Sequence, residues 1–167
     1  MNNRRKAPGR ARFIAGAAAF AIVIVAALAA IFFYRRGGAL VLTNARSGEE
    51  LARYAVPEGG TFSIGFIHSV NQSPVTDYYE IREGRIFVTK TVYYGFGAGV
   101  QTELCENETL SYGEDGSMII SGIDKEIPDL LYIVGTVSDH ILRIENGAEI
   151  SLRDLCGRNT LVRFTYE

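Results

Sequence analysis

Residue types that serve catalysis and metal binding are scarce in this sequence of 167 residues, which has two cysteines, two histidines and four prolines. Neither Cys105 nor Cys156 lies in a CxxC or Cys/His spacing, which argues against a structural zinc site. His140 is the only histidine besides His68, which disfavours a metal site, although His68, Asp77 and Glu80 would supply nitrogen and oxygen ligands if folded together. No GxSxG nucleophile elbow occurs, and "YYGFGAGV" lacks the GxGxxG spacing of a dinucleotide loop. There is no internal repeat and no low-complexity segment. Acidic residues are absent from the first 36 positions, which hold seven basic ones. The remaining ten basic residues stand against all 19 acidic ones, a net charge of −9 for residues 37–167. That charge repels phosphate and disfavours nucleic-acid binding.

What the N-terminal part does have is the stretch "FIAGAAAFAIVIVAALAAIFFY", residues 13–34, 22 residues without a charge. At about 1.5 Å per helical residue it reaches about 33 Å, enough to cross a hydrocarbon core of roughly 30 Å. Five basic residues precede it and two follow, so the positive-inside rule places residues 1–12 in the cytoplasm and residues 39–167 outside. A secretory signal is the competing reading, because "ALA" at 27–29 has the form of a cleavage site. The apolar run continues through Tyr34, and this favours a retained anchor in contact with membrane lipid. Outside the cytoplasm, a single cysteine pair reads as a Cys105–Cys156 disulfide, with two separate thiols as the alternative.

From Ala39 the chain breaks into short β-branched and aromatic runs separated by turn residues, which predicts a mainly β domain, an antiparallel sandwich or barrel-like fold. Strands are expected at 39–44, 61–68, 75–82, 85–94, 109–112, 117–121, 130–135, 140–145 and 160–166. Turns are expected at Asp115-Gly116 and Asn146-Gly147, and one helical turn at 151–157 ending on Gly157. A two-residue Glu83-Gly84 loop would pair Ile81 with Ile86, Tyr79 with Val88, Asp77 with Lys90 and Val75 with Val92.

The stretch "FIHSVNQSPVTDYYE" raises the question of function. Alternation places Phe62, Ile64, Phe66 and His68 on one strand face. His68 is then either a core-rim histidine satisfied by a backbone carbonyl or by Ser69, or a ligand-binding or proton-transferring imidazole helped by Asp77 or Glu80. Neighbouring strand residues point to opposite faces, so His68 and Ser69 are badly placed for a Ser-His-Asp triad. Gly95, Gly97 and Gly99 suggest a bulge or sharp bend after a strand, with an anion-binding nest as a lesser alternative. No catalytic set and no cofactor motif emerges, so a non-enzymatic protein is expected.

The order of "HSV", "PV", "DYYE" and "GFGAG" behind a single span resembles the bacterial domain-of-unknown-function family 1850 over roughly residues 39–167. The resemblance implies a membrane-anchored accessory protein encoded beside TAXI-type TRAP transporters, the tripartite ATP-independent periplasmic importers, with the permease or its solute-binding protein as partner. It also implies a shared site at His68, Ser69, Pro74, Glu80, Gly95, Gly97 and Gly99. The sequence departs from the family pattern at Asn71, where an acid is common, and in its two cysteines. An extracytoplasmic small-ligand or metal-binding module using His68 is the alternative.

Overall fold

Alternating apolar and polar residues set the strand faces of the domain. In the stretch "TFSIGFI" the residues Phe62 and Ile64 are buried on the inner face, and in "LVRFTY" Val162 and Phe164 are. The computed structural model describes residues 23–24, 37–70, 72–95, 103–145, 147 and 149–167. The chain divides into two units, Met1–Gly37 and Gly38–Glu167. The span expected at 13–34 lies outside the described residues except for Val23 and Ile24, which are helical. Among the described residues no helix is long and apolar enough to cross a membrane.

The second unit is a two-sheet β-sandwich. Its strands are β1 (Ala39–Asn44), β2 (Glu50–Ala55), β3 (Thr61–Ile67), β4 (Pro74–Arg82), β5 (Arg85–Tyr93), β6 (Thr109–Tyr112), β7 (Met118–Glu126), β8 (Leu130–Ile133), β9 (His140–Ile144), β10 (Glu149–Ser151) and β11 (Leu161–Tyr166). One short helix, α1 (Leu152–Cys156), precedes β11. The sheets run β2-β1-β11-β8 and β10-β9-β3-β4-β5-β7-β6, and every pairing is antiparallel. Between them packs a core that includes Leu40, Leu42, Phe62, Ile64, Ile81, Leu142, Val162 and Phe164. A smaller cluster of Val75, Tyr93, Met118 and Ile120 lies where β4, β5 and β7 run side by side.

All nine expected strands are present, most within a residue or two of their predicted bounds, though β7 runs on to Glu126. The strands β2 and β10 were not expected. "ELARYA" carries no alternation of large apolar residues, and three residues of β10 are too few to show one; each is an edge strand held by its neighbour. The helical turn forms as expected. Ser151 caps it by accepting the Asp154 N–H at 3.0 Å, and Gly157 at φ +83° ends it.

The hairpin register holds only in part. Ile81 faces Ile86 and Tyr79 faces Val88, but Tyr78 faces Lys90, Asp77 faces Thr91 and Val75 faces Tyr93. Thr89 is the extra residue of a β-bulge, so the expected Asp77–Lys90 and Val75–Val92 pairs do not form. The cause is legible in burial: Ile86 and Tyr93 are both buried, and residues seven apart reach one strand face only if an extra residue intervenes. The bulge sends Lys90 to the outer face, where its Nζ lies 3.9 Å from the centroid of the Tyr78 ring. The irregularity continues into β7, where Gly122 at φ +77° takes up the mismatch and a Cβ would fall 2.3 Å from the Asn107 carbonyl oxygen. Gly122→Ala is therefore expected to lose about 1 kcal/mol of stability or more, from both strain and collision. Chemical unfolding measures it, and an unchanged midpoint would mean that this bulge is not strained.

Candidate functional site

The β3–β4, β6–β7 and β8–β9 connections and the segment after β5 lie at one end of the seven-stranded sheet, because the strands that lead into them run antiparallel. The chain enters the domain at the other end, where Ala39 pairs with Ala55 and Leu40 with Tyr166. His68 and Ser69 belong to the β3–β4 turn, Pro74 opens β4, and Gly95 follows β5 at the same end. Gly97 and Gly99 lie outside the described residues.

His68 is used by its own turn. Its backbone N–H donates to the Ser73 carbonyl at 2.9 Å, its carbonyl accepts the Gln72 N–H at 3.0 Å, and its Nδ1 accepts the Val70 N–H at 3.3 Å. The ring thus has a backbone N–H as its partner, where the core-rim reading expected a backbone carbonyl or Ser69. Ser69 is exposed. The acids expected to assist His68 are elsewhere. Glu80 lies six residues along β4 from Pro74, roughly 20 Å at strand rise, on the outer face, where it pairs with Arg82 at 3.4 Å. Among the described residues, no group of three or more His, Cys, Asp or Glu side chains is placed to hold a metal ion.

Asp77 faces inward and anchors a different constellation. Tyr132 of β8 donates its hydroxyl to Asp77 Oδ2 at 2.7 Å, and Thr91, turned inward by the bulge, donates to Oδ1 at 2.8 Å. The Tyr79 and Tyr132 hydroxyls are 2.7 Å apart. Since the Tyr132 proton is committed to Asp77, Tyr79 is the donor to Tyr132. Burial first, and then the Asp77 charge, push both phenols well above the usual tyrosine range. The bridge is enclosed by rings: Phe62 stacks on Tyr79 at 4.9 Å, Phe66 on His140 at 5.0 Å, and Tyr132 meets Phe66, His140 and Phe164 edge-on. Alternation in Leu130, Tyr132 and Val134 gives the inward direction of Tyr132, but no sequence signal names Asp77 as its partner.

His140 ties the β8–β9 loop to this cluster, its Nδ1 accepting the Gly135 N–H at 3.2 Å. Asp139 beside it accepts from Ser151 Oγ and from the backbone N–H of His140 and Arg153. Burial alone would raise the Asp139 pKa, but those hydrogen bonds outweigh it and hold the carboxyl below its ordinary value. Ser138 Oγ donates to the Ile67 carbonyl at 3.1 Å, which fastens the loop to the end of β3.

Cys105 and Cys156 are free thiols and the expected disulfide is absent. Cys105 precedes β6 at one edge of the seven-stranded sheet, while Cys156 ends α1, next to β9 and β10 at the other edge. The Cys156 thiol points into its own helix, donating to the Leu152 carbonyl at 2.8 Å.

The geometry defines a β-sandwich with a polar bridge through its aromatic interior and with His68, Ser69, Pro74 and Gly95 at one end. Residues 62–152, from β3 to the first residue of α1, match the family described as "Domain of unknown function (DUF1850)", and the chain belongs to that family. The match leaves out β1, β2 and β11, so it is narrower than the resemblance over 39–167. No curated protein and no solved structure matches the chain.

Tyr132→Phe is expected to destabilise the domain by about 1–3 kcal/mol, because it strips one donor from Asp77 and the acceptor from Tyr79. Urea unfolding tests this, and a loss well under half a kcal/mol would show the bridge to be dispensable. Burial, opposed by the Asp139 charge and reinforced by that of Arg153, holds the His140 pKa below its ordinary 6.5. The unfolded chain therefore binds that proton more readily. The contribution of neutral His140 is complete above about pH 6.5 and declines as pH falls, by no more than about 1.4 kcal/mol per unit. Unfolding midpoints of His140→Gln are expected to depend less on pH than those of the parent below about pH 6.5; parallel curves would refute the assignment.

Proposed function

We propose that the protein is a non-catalytic accessory subunit of a TAXI-type TRAP transporter, held in the bacterial cytoplasmic membrane by residues 13–34 with its β domain on the extracytoplasmic side. Its loop end docks on the permease or on the solute-binding protein. The observation that carries the docking surface is the exposed apolar side chains of that end: Ile67 is 39% exposed, Val70 68% and Val137 88%. Ile67 ends β3 and Val70 lies in the turn after it, and Ser138 fastens the loop that carries Val137 to Ile67, beside His68, Ser69 and Pro74. Apolar groups grouped on a fastened surface are the usual mark of a protein contact rather than of random surface composition. The tyrosine pairs contribute only in part, since Tyr79 and Tyr93 are buried and Tyr94 is exposed. Membership of the DUF1850 family is consistent with this role, and the gene-neighbourhood resemblance supplies the partner.

The test is affinity purification of the full chain in mild detergent, with mass spectrometry of what accompanies it and solute uptake in the deletion strain. Recovery of a TAXI permease or its binding protein is expected, with loss of that recovery in Val70→Asp/Val137→Asp and little change in melting, since both residues are exposed. Recovery of neither protein together with unchanged uptake would refute the reading.

A further inference from the structure

We propose that a groove on the outer face of β3, β4 and β9 binds the carboxylate of a small organic acid, with Arg143 as the anchoring residue. Gly65 sits in the interior of β3, between Thr76 of β4 and Ile141 of β9. A glycine there weakens a strand and marks a place where something else comes close to the backbone. At Gly65 the vacated space is the floor of a groove of about 290 Å³ lined by Ile67, Ile141 and Arg143. A side chain at position 65 would stand 3.1 Å from Arg143 Nη1 and 3.2 Å from Thr76 Oγ1.

The chemistry of the groove follows from how its polar groups are committed. Arg143 Nε donates to Glu149 Oε1 at 2.8 Å, and this contact orients the guanidinium across the floor. Among the described residues, Nη1, Nη2 and the Thr76 hydroxyl have no hydrogen-bond partner. A planar guanidinium with free Nη donors matches the two oxygens of a carboxylate, and it is charged at every physiological pH. The carboxylate of Asp139 borders the groove too, but its oxygens are taken by Ser151, His140 and Arg153. The ligand is thereby oriented, its carboxylate on Arg143 and its short apolar chain between Ile67 and Ile141. The volume stands at the small end of ligand pockets, which suits an acid of a few carbons or the last residue of a peptide. Because the Arg143 side chain is 40% exposed, solvent weakens the pair, and a dissociation constant on the order of millimolar is expected.

The experiment is a nuclear magnetic resonance titration of the isotope-labelled full chain in detergent micelles with sodium butyrate, against butyramide and sodium chloride. Butyrate is expected to shift the Gly65 amide and the Arg143 Nε signal saturably, while neither control does so. Arg143→Gln should weaken binding by about tenfold or more, and Gly65→Val, which fills the floor, should abolish it. Should Gly65→Val fail to fold, the exposed Arg143→Gln still decides. A blocked dipeptide ending in leucine, binding more tightly than butyrate, would assign the site to peptide C-termini; equal or weaker binding assigns it to free acids. Shifts that do not saturate, butyramide binding as well as butyrate, or Arg143→Gln binding like the parent would each overturn the proposal. No transporter component is needed, so the outcome is independent of the docking reading.

Discussion

The hydrogen bond from Tyr132 to Asp77 joins the four-stranded sheet to the seven-stranded one through an interior made largely of rings. A carboxylate that faces another sheet needs donors, and this need reaches several neighbouring elements. It requires Asp77 to point inward on β4, a hydroxyl at position 132 on β8, and a second donor from β5. Thr91 is that donor only because the bulge at Thr89 turns it inward. The same bulge brings Tyr93 into the smaller core and sends Lys90 out over Tyr78. Polar satisfaction and core packing thus depend on one inserted residue.

The loop end is built on different terms. There the polar groups serve backbone geometry: His68 Nδ1 holds the turn that follows it, His140 Nδ1 holds Gly135, and Asp139 gathers the start of β9 and the start of α1. With Nδ1 of both imidazoles and the Asp139 carboxylate so engaged, the loops present a mixed surface outward, Val70 and Val137 beside Ser69, Gln72 and Thr136, next to Ile67 at the end of β3.

Most of the fold is readable in the sequence because each long strand carries its own alternation and its own turn residues. The nine expected strands share that property, whereas β2 and β10 owe their conformation to the strands beside them. The Asp77–Lys90 error shows the limit of local reasoning. A hairpin read alone favours opposite charges face to face, yet the choice was made by the burial of Tyr93 against Met118 and Ile120 of β7 and by Tyr132 in the other sheet. The disulfide reading failed for a related reason, since compartment and cysteine number say nothing about which sheet edges the two residues occupy. Near the site, a turn between the strands expected at 61–68 and 75–82 was legible. The separation of Glu80 from His68 was not, because it follows from β4 running straight where a bend was needed.

The place of β1 has a mechanical consequence. It is the first strand of the domain, yet it lies inside its sheet, with β2 on one side and β11 on the other. Its first residue, Ala39, exchanges two backbone hydrogen bonds with Glu167, at 2.8 and 3.0 Å, and Val56 bonds to the preceding Gly38 at 3.0 Å. Tension applied through residue 38 along the strand would load both ladders in parallel, as shear, rather than peel an edge strand open one rung at a time. A domain entered in this way resists being unravelled from the terminus by which it is pulled.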